Sequence, residues 1–173
     1  NTSLAASRRK VECLLKARPR TIRYSMHAAD PEESKRFDGT SSWETVVGNA
    51  RFISNCSLRP HRVEVNTHIS NVNFRTIVDR LRWIADEFEP DDINIFPVYD
   101  AKTMQLDKRR AEEFYSLVLP EIVQLAEERD FLGLKARALR LLGDPDRYGT
   151  EGPRYVHHSH NCHAVRSILY IDN

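Results

Sequence analysis

The chain has 173 residues, the size of one ordinary domain, and 40% of them are apolar, which suffices for a hydrophobic core. Its net charge of +1 gives no electrostatic reason to expect nucleic acid or an anionic membrane surface as a partner. No apolar run reaches the roughly 18 residues of a transmembrane helix, and the first residues do not resemble a signal peptide.

Helices and strands alternate along the chain. Helical spacing of apolar residues predicts a first helix over Leu4–Ala17, and alternation of polar and apolar residues predicts a strand over Thr21–His27. Pro31 opens a short helix, and Ser42 caps the next one. The elements predicted further along are a strand from His61 that runs into a helix over Phe74–Phe88, a strand over Asp92–Val98, a long helix over Asp107–Arg129 that bends at Pro120 and buries Phe114, Leu117, Val118, Ile122 and Leu125, a short helix over Leu134–Leu142, a loop over Asp144–Ser159 and a strand over Ser167–Ile171.

Each of the three central strands has one polar face. Along the strand from His61, one face carries Val63, Val65, Thr67 and Ile69, and the other carries Arg62, Glu64, Asn66, His68 and Ser70. Parallel strands are usually apolar on both faces because both are covered. Two interpretations remain open: a half-exposed strand in an α+β sheet, or strands around the polar lumen of an α/β barrel.

The order of elements predicts an α/β fold with parallel strands. Half of a barrel and one wing of a doubly wound sheet both have this order. Three successive strands with polar rows favour the barrel, in which ligands bind at the carboxyl ends of the strands.

Histidine and cysteine are concentrated near the end of the chain. His157–His163 contains four histidines and Cys162, and imidazole and thiolate are ligands that borderline metals prefer. The alternative is a solvated histidine-rich loop; if the segment binds a metal, we expect Cys162 to be a ligand. With Cys13 and Cys56 the chain has three cysteines, too few for a disulfide framework, so we expect a reducing compartment, the cytoplasm.

Several segments resemble radical S-adenosylmethionine enzymes. Thr21–Ile53 is similar to a strand of that family that ends in a serine and continues through a Pro-Glu loop and a glycine turn into a helix. Val63–Asn73 resembles the next strand with its trailing asparagine, and Asp92–Pro97 resembles the strand after that. Asn1-Thr2 resembles the Thr-Asn end of an earlier strand. Cys162 with Ser167–Asn173 resembles the opening of the SPASM extension.

The resemblance implies a partial (β/α) barrel over 1–143, its C-terminal half, and a linker with the start of a cluster-binding extension over 144–173. In such enzymes a 4Fe-4S cluster reductively cleaves S-adenosylmethionine, and the 5′-deoxyadenosyl radical abstracts a hydrogen from the substrate. The implied partners are a peptide or small-molecule substrate and an electron donor such as flavodoxin or ferredoxin.

The resemblance also implies roles for individual residues. Ser25 would contact the ribose of the cofactor, and His27 stands where relatives often have an acidic residue. The other implied cofactor contacts are Thr67, His68 and Asn73 near the methionyl or ribose groups, and Phe96, Pro97 and Val98 near the adenine. Cys162 would bind an auxiliary 4Fe-4S cluster. From the polar rows, we expect the substrate to meet Arg23, Arg62, Glu64 and Asn94.

The sequence departs from the family in one important respect. It contains neither the CxxxCxxC motif that holds the radical-generating cluster nor the Gly-Gly-Glu segment that binds the cofactor's amino group. We expect both to precede Asn1 in a longer protein, with further SPASM cysteines after Asn173, and we expect this chain alone to be inactive. Two other functions remain open: an α/β-barrel lyase or aldolase that uses Glu64 or His68 as acid or base, and a non-catalytic metal-binding module built on His157–His163.

Overall fold

The structure is a computed structural model that describes residue 4, residues 6–38, 42–98 and 104–143, and the backbone of 170–172. In chain order its elements are α1 Arg8–Lys16, β1 Thr21–Ser25, α2 Pro31–Asp38, α3 Trp43–Asn55, β2 Arg62–Ile69, α4 Ile77–Phe88, β3 Asp92–Pro97, α5 Lys108–Glu113, a π-helical turn Phe114–Val118, α6 Leu119–Glu128, α7 Leu132–Gly143 and β4 Tyr170–Asp172.

The described strands form one sheet in the order β3-β2-β1-β4. The pairs β1-β2 and β2-β3 are parallel, which confirms the predicted α/β class. β4 pairs antiparallel with β1, so it occupies the edge of β1 that is not bonded to β2. The parallel strands follow one another across the sheet in sequence order, an order that half of a barrel and one wing of a doubly wound sheet share.

One face of the sheet packs into the hydrophobic core. Ile22 of β1, Val63 and Val65 of β2 and Ile93 of β3 are fully buried, and their neighbours in the core come from α1, α3, α4, α6 and α7. Each side chain of this size contributes about 1.5–3 kcal/mol when it is removed from water. Burial of this face fixes the strand register, because a shift by one residue would place the polar row in the core.

α4 illustrates how the sequence specifies a helix. Ile77, Leu81, Ile84 and Phe88 recur at helical spacing and are fully buried. The helix ends where Glu89 adopts a left-handed conformation with φ 43°.

Two predicted helices begin later than their apolar patterns indicated. α1 begins at Arg8 rather than Leu4, and α4 begins at Ile77 rather than Phe74. In the second case the side chain of Asn73 accepts a hydrogen bond from the backbone N–H of Ser70, at 2.8 Å. This local bond competes with helix formation, so turns replace the predicted first helical residues.

The predicted long helix changes its winding before Pro120. The N–H of Leu119 donates to the carbonyl of Phe114, which is the spacing of a π-helix. The wider turn rotates the buried stripe by about one residue, so the prediction that Leu117 lies inward was wrong: it is 62% exposed, and Leu119 is buried instead. Because proline has no N–H to donate, the helical hydrogen-bond pattern must change at this point.

The last described helix lies along β3. α7 starts at Leu132, two residues earlier than predicted, and its second and third N–H groups bond to Asp92 at the start of β3. Further along α7, the side chain of Arg137 donates a hydrogen bond to Asn94.

The predicted loop Asp144–Ser159 lies outside the described residues, and the described part of the last strand is β4. None of the described helices is long and apolar enough to cross a membrane.

Candidate functional site

The alternating side chains of the parallel strands form a continuous polar surface. Ser25 pairs with Asn66, which pairs in turn with Asn94, and His68 pairs with Phe96. Paired residues of neighbouring strands point to the same side of a sheet. We call this surface the polar sheet face; its members are Arg23, Ser25, Arg62, Glu64, Asn66, His68, Asp92, Asn94 and Phe96. The polar rows of the three strands therefore lie on one side of the sheet.

Charged residues fill the amino-terminal half of the polar sheet face. Glu64 accepts hydrogen bonds from Arg23 at 2.7 Å and from Arg62 at 2.6 Å. Burial by itself would raise the pKa of Glu64, but the bonds from both arginines outweigh it and lower the pKa. The carboxylate stays ionised at neutral pH, which suits a structural anion better than a group that exchanges protons.

Asp92 connects this charged network to α7. Its carboxylate accepts hydrogen bonds from the N–H groups of Gly133 at 2.8 Å and Leu134 at 3.2 Å, and it also accepts one from Arg62 at 3.2 Å. An acidic side chain at a helix amino terminus satisfies free N–H groups and interacts favourably with the helix dipole. The residues expected to meet substrate are thus bound largely to one another.

The carboxyl-terminal half of the polar sheet face contains uncharged groups. The rings of His27 and His68 stack with centroids 4.1 Å apart, and the rings of His68 and Phe96 meet edge to face with centroids 6.3 Å apart. His27 is buried, and its Nδ1 has no hydrogen-bond partner among the described residues. Burial, followed by the nearby His68 and Arg80, lowers the pKa of His27 well below 6.5. The imidazole of His27 is therefore neutral at physiological pH.

Asn66 offers an acceptor without a donor. Its Oδ1 is buried and has no hydrogen-bond partner among the described residues. Ser25, its pairing partner on β1, is itself only 8% exposed. A buried polar atom that lacks a partner costs free energy, and ligand sites are one place where such atoms occur. We call Ser25, His27, Asn66, His68 and Phe96 the carboxyl-end cluster.

Two of the residues implied as cofactor contacts are oriented away from this cluster. Thr67 is fully buried on the opposite, core-facing side of β2. Pro97 follows the same alternation on β3, where it pairs with Ile69. Neither shares the polar sheet face, because successive side chains of a strand point to opposite sides.

Asn73 and Val98 make hydrogen bonds to the backbone at the end of β2. The amide of Asn73 accepts from the N–H of Ser70 and donates to the carbonyl of His68, at 2.8 and 2.9 Å. The N–H of Val98 donates to the carbonyl of Ile69 at 2.9 Å. Asn73 thereby shapes the loop that follows His68, while its own polar atoms are occupied.

Arg80 contacts the backbone of His27 in the carboxyl-end cluster, although the sequence pattern did not identify it. It is 1% exposed on α4, donates to the carbonyl of His27 at 2.6 Å and pairs with Glu33 of α2. Glu33 also accepts from the N–H of Ala29, at 2.7 Å. The buried guanidinium thus holds the loop that carries His27. Its signal in the sequence is a charged residue at position 80, on the buried stripe of an otherwise apolar helix face.

Arg137 is a second residue that the sequence pattern missed. It donates to Asn94 at 3.1 Å, and its guanidinium lies 4.3 Å from the centre of the Phe96 ring. A cation over an aromatic face is a favourable arrangement. The contact spans more than forty residues of sequence and becomes visible only when α7 is placed beside β3.

The described residues hold no group of three or more histidine, cysteine or acidic side chains that could bind a metal ion. Cys13 is exposed on α1, and Cys56 follows α3. Cys162 and His157–His163 lie outside the described residues.

Comparisons with protein-family models, curated proteins and solved structures found no match to this chain. Its function is therefore inferred from its own residues.

Proposed function

We propose that this chain is the C-terminal part of a radical S-adenosylmethionine barrel, and that the carboxyl-end cluster contacts the cofactor. The observation that carries the proposal is the position of Ser25, Asn66 and His68 on one sheet face, near the carboxyl ends of parallel strands that follow in sequence order. Ligands of α/β barrels bind at that end of the strands. The sequence resemblance supplies the class of ligand.

The hydrogen-bonding groups of the cluster suit a ribose. A ribose presents hydroxyl groups that donate and accept, and Asn66 presents a buried acceptor without a donor. Ser25 lies beside it on β1 and has a hydroxyl of its own. A ribose hydroxyl that donated to Asn66 would remove the cost of its unpaired oxygen.

Phe96 suits the adenine. The ring is half-buried, and aromatic faces stack on nucleobases. Arg137 lies over one side of the ring, so an adenine would take the open side or edge, or displace the guanidinium. Arg137 is therefore a positioning residue for Phe96 in this proposal.

The neutral ring of His27 adds no positive charge beside a cationic ligand. The sulfonium of S-adenosylmethionine carries a positive charge, and a protonated imidazole beside it would repel it. Because the pKa of His27 is held well below 6.5, first by burial, this ring stays neutral near the sulfonium. When bound with its cluster, the cofactor would supply a radical that removes hydrogen from a substrate.

Two further parts belong to the proposed parent enzyme. A cluster-binding CxxxCxxC segment would have to come from outside the printed sequence. In a larger barrel, another strand would pair with the edge of β1 that β4 occupies here. The coding sequence on either side of this chain tests the proposal directly: a CxxxCxxC motif upstream supports it, and a flanking sequence without one contradicts it.

The isolated chain gives a second test. After anaerobic incubation with iron and sulfide, we expect neither a stable 4Fe-4S absorbance band nor 5′-deoxyadenosine from S-adenosylmethionine. The physical reason is that Cys13 and Cys56 lie on α1 and after α3, whereas a cluster needs several thiolates converging on one site. A stable cluster with deoxyadenosine production in the isolated chain would show that the expected missing segment is not needed.

A further inference from the structure

A basic cavity lies at the end of the sheet opposite the carboxyl-end cluster. It has a volume of about 340 Å³ and is bordered by the segments that lead into β1 and β2. Arg18, Arg20, Arg59 and His61 line it, and none of the described residues that line it is acidic. We call it the basic cavity. Its volume falls in the range of small-molecule sites.

Strand pairing brings these residues together. Thr21 of β1 pairs with Arg62 of β2, and the N–H of Arg62 donates to the carbonyl of Arg20 at 3.1 Å. The residues just before the two strands, including Arg20 and His61, are therefore neighbours in space. The parallel register thus joins two short basic segments of the sequence, 16–20 and 59–62, into one concentration of positive charge.

The arginines of the basic cavity differ in how they are held. Arg59 donates to the carbonyl of Glu89 at 2.8 Å and to the carboxylate of Asp91 at 3.2 Å, so its guanidinium is oriented and partly neutralised. The side chains of Arg18 and Arg20 are exposed and make no hydrogen bond or ion pair with any described residue. Two guanidinium groups are thus free to take a ligand beside a fixed one.

Arg18 has a strained backbone. Its φ is 50°, in the left-handed region just after α1, where glycine would carry no strain. Glu89 and Asp130 also adopt this conformation after their helices. Replacing Arg18 by glycine therefore removes the guanidinium and relieves the backbone at the same time. If the Arg18→Gly variant binds ligand more weakly, a weakened end of α1 is therefore not the cause.

We propose that the basic cavity binds a small anion that carries a phosphate group. Guanidinium groups present paired donors that match phosphate oxygens. Pro19, Leu58 and Pro60 form an apolar wall that would contact the uncharged part of such a molecule. A nucleic acid would instead need basic residues along several successive phosphates, whereas the four basic residues of the basic cavity line one concave site. This proposal does not depend on the radical-enzyme assignment.

Calorimetric titration of the full chain with inorganic pyrophosphate, at constant ionic strength, tests the proposal. We expect saturable one-to-one binding, weakened about tenfold or more by Arg20→Gln and by Arg18→Gly, since each removes a charged donor. Arg36→Gln removes an exposed arginine of α2 outside the cavity and is the matched control; its affinity should equal that of the parent chain. Thermal unfolding of each variant verifies that it folds.

Three outcomes would overturn the proposal. The first is the absence of saturable pyrophosphate binding to the parent chain. The second is equal affinity in the parent chain and in folded Arg18→Gly and Arg20→Gln. The third is tighter binding of a single-stranded oligonucleotide of about 20 nucleotides than of pyrophosphate, which would assign the basic cavity to nucleic acid.

Discussion

At the scale of single residues, the carboxyl-end cluster is defined by polar groups that the fold buries without fully satisfying. His27 and Asn66 each retain a buried polar atom that has no hydrogen-bond partner within the described residues. Glu64, which precedes Asn66 by two residues on β2, is instead held by two arginines. The difference separates a structural charge network from a surface that has hydrogen-bonding capacity for a ligand.

The buried imidazole makes a pH-dependence prediction. Because burial, His68 and Arg80 hold the pKa of His27 well below 6.5 in the folded chain, the unfolded chain binds a proton there that the folded chain does not. Above pH 6.5, His27 is neutral in both the folded and the unfolded chain, and its contribution to the free energy of unfolding is constant. As the pH falls below 6.5, the unfolded chain gains the proton first, so the free energy of unfolding decreases by at most about 1.4 kcal/mol per pH unit. Urea unfolding between about pH 5 and pH 8 measures this loss.

The difference between variants isolates this contribution from that of the other histidines. His27→Gln should lose less stability on acidification than the parent chain. His61→Gln removes an exposed imidazole and is the matched control. Equal slopes in the parent chain and His27→Gln would contradict the buried-imidazole account.

Adjacent residues on opposite faces of β2 give a matched pair for cofactor binding. Asn66→Leu removes the acceptor on the polar sheet face and should weaken S-adenosylmethionine binding by the parent enzyme by about 1 kcal/mol, with little loss of stability. Thr67→Val removes a hydroxyl that is buried on the core side and has no partner among the described residues, so binding should be unchanged. Weaker binding in Thr67→Val alone would reverse the assignment of the two faces.

At the scale of elements, the junction between β3 and α7 is tightly specified. Gly133 is the second residue of α7, and a Cβ added there would overlap the Oδ2 atom of Asp92. That carboxylate is fixed by bonds to the helix and to Arg62. This close approach explains why residue 133 is a glycine, although glycine inside a helix usually lowers stability.

Two alanine substitutions in the same helix test this junction. Gly133→Ala should destabilise the chain by about 1–2 kcal/mol because it displaces Asp92 from the helix amino terminus. Gly143→Ala, at the open end of α7, meets no atom and should be neutral or stabilising by up to about 1 kcal/mol. Chemical denaturation measures both; a stabilising Gly133→Ala would show that Asp92 does not need its present position.

The elements also show what the sequence can predict. Periodicity, together with proline and cap signals, predicted the order of strands and helices in the described chain, with α5 and α6 as one helix. Periodicity succeeds because it reflects which side of an element is buried. It missed the π-helical turn and the turn at Ser70–Asn73, which depend on a missing N–H donor and on one side-chain bond. Arg80 and Arg137 were missed because their contacts join positions 53 and 43 residues apart. Such contacts require the topology first.

At the scale of the whole molecule, the sheet separates two kinds of surface. Its carboxyl end presents the stacked histidines and Phe96, while its amino end presents the arginines of the basic cavity. Between them lies the charge network around Glu64, which occupies half of the polar sheet face. At the carboxyl end, by contrast, Nδ1 of His27 and Oδ1 of Asn66 have no hydrogen-bond partner within the described residues, and this division of the sheet is the basis of the proposed function.

The most direct measurement is a titration of the ¹⁵N-labelled chain with S-adenosylmethionine, followed by backbone amide chemical shifts. We predict saturable shifts at the ends of β1, β2 and β3, around Ser25–Ala28, Asn66–Ser70 and Phe96. The amides of Ser57–His61, at the other end of the sheet, should stay unchanged. Shifts confined to the amino-terminal end, or no saturable shift at any soluble concentration of S-adenosylmethionine, would contradict a cofactor site at the carboxyl ends of these strands.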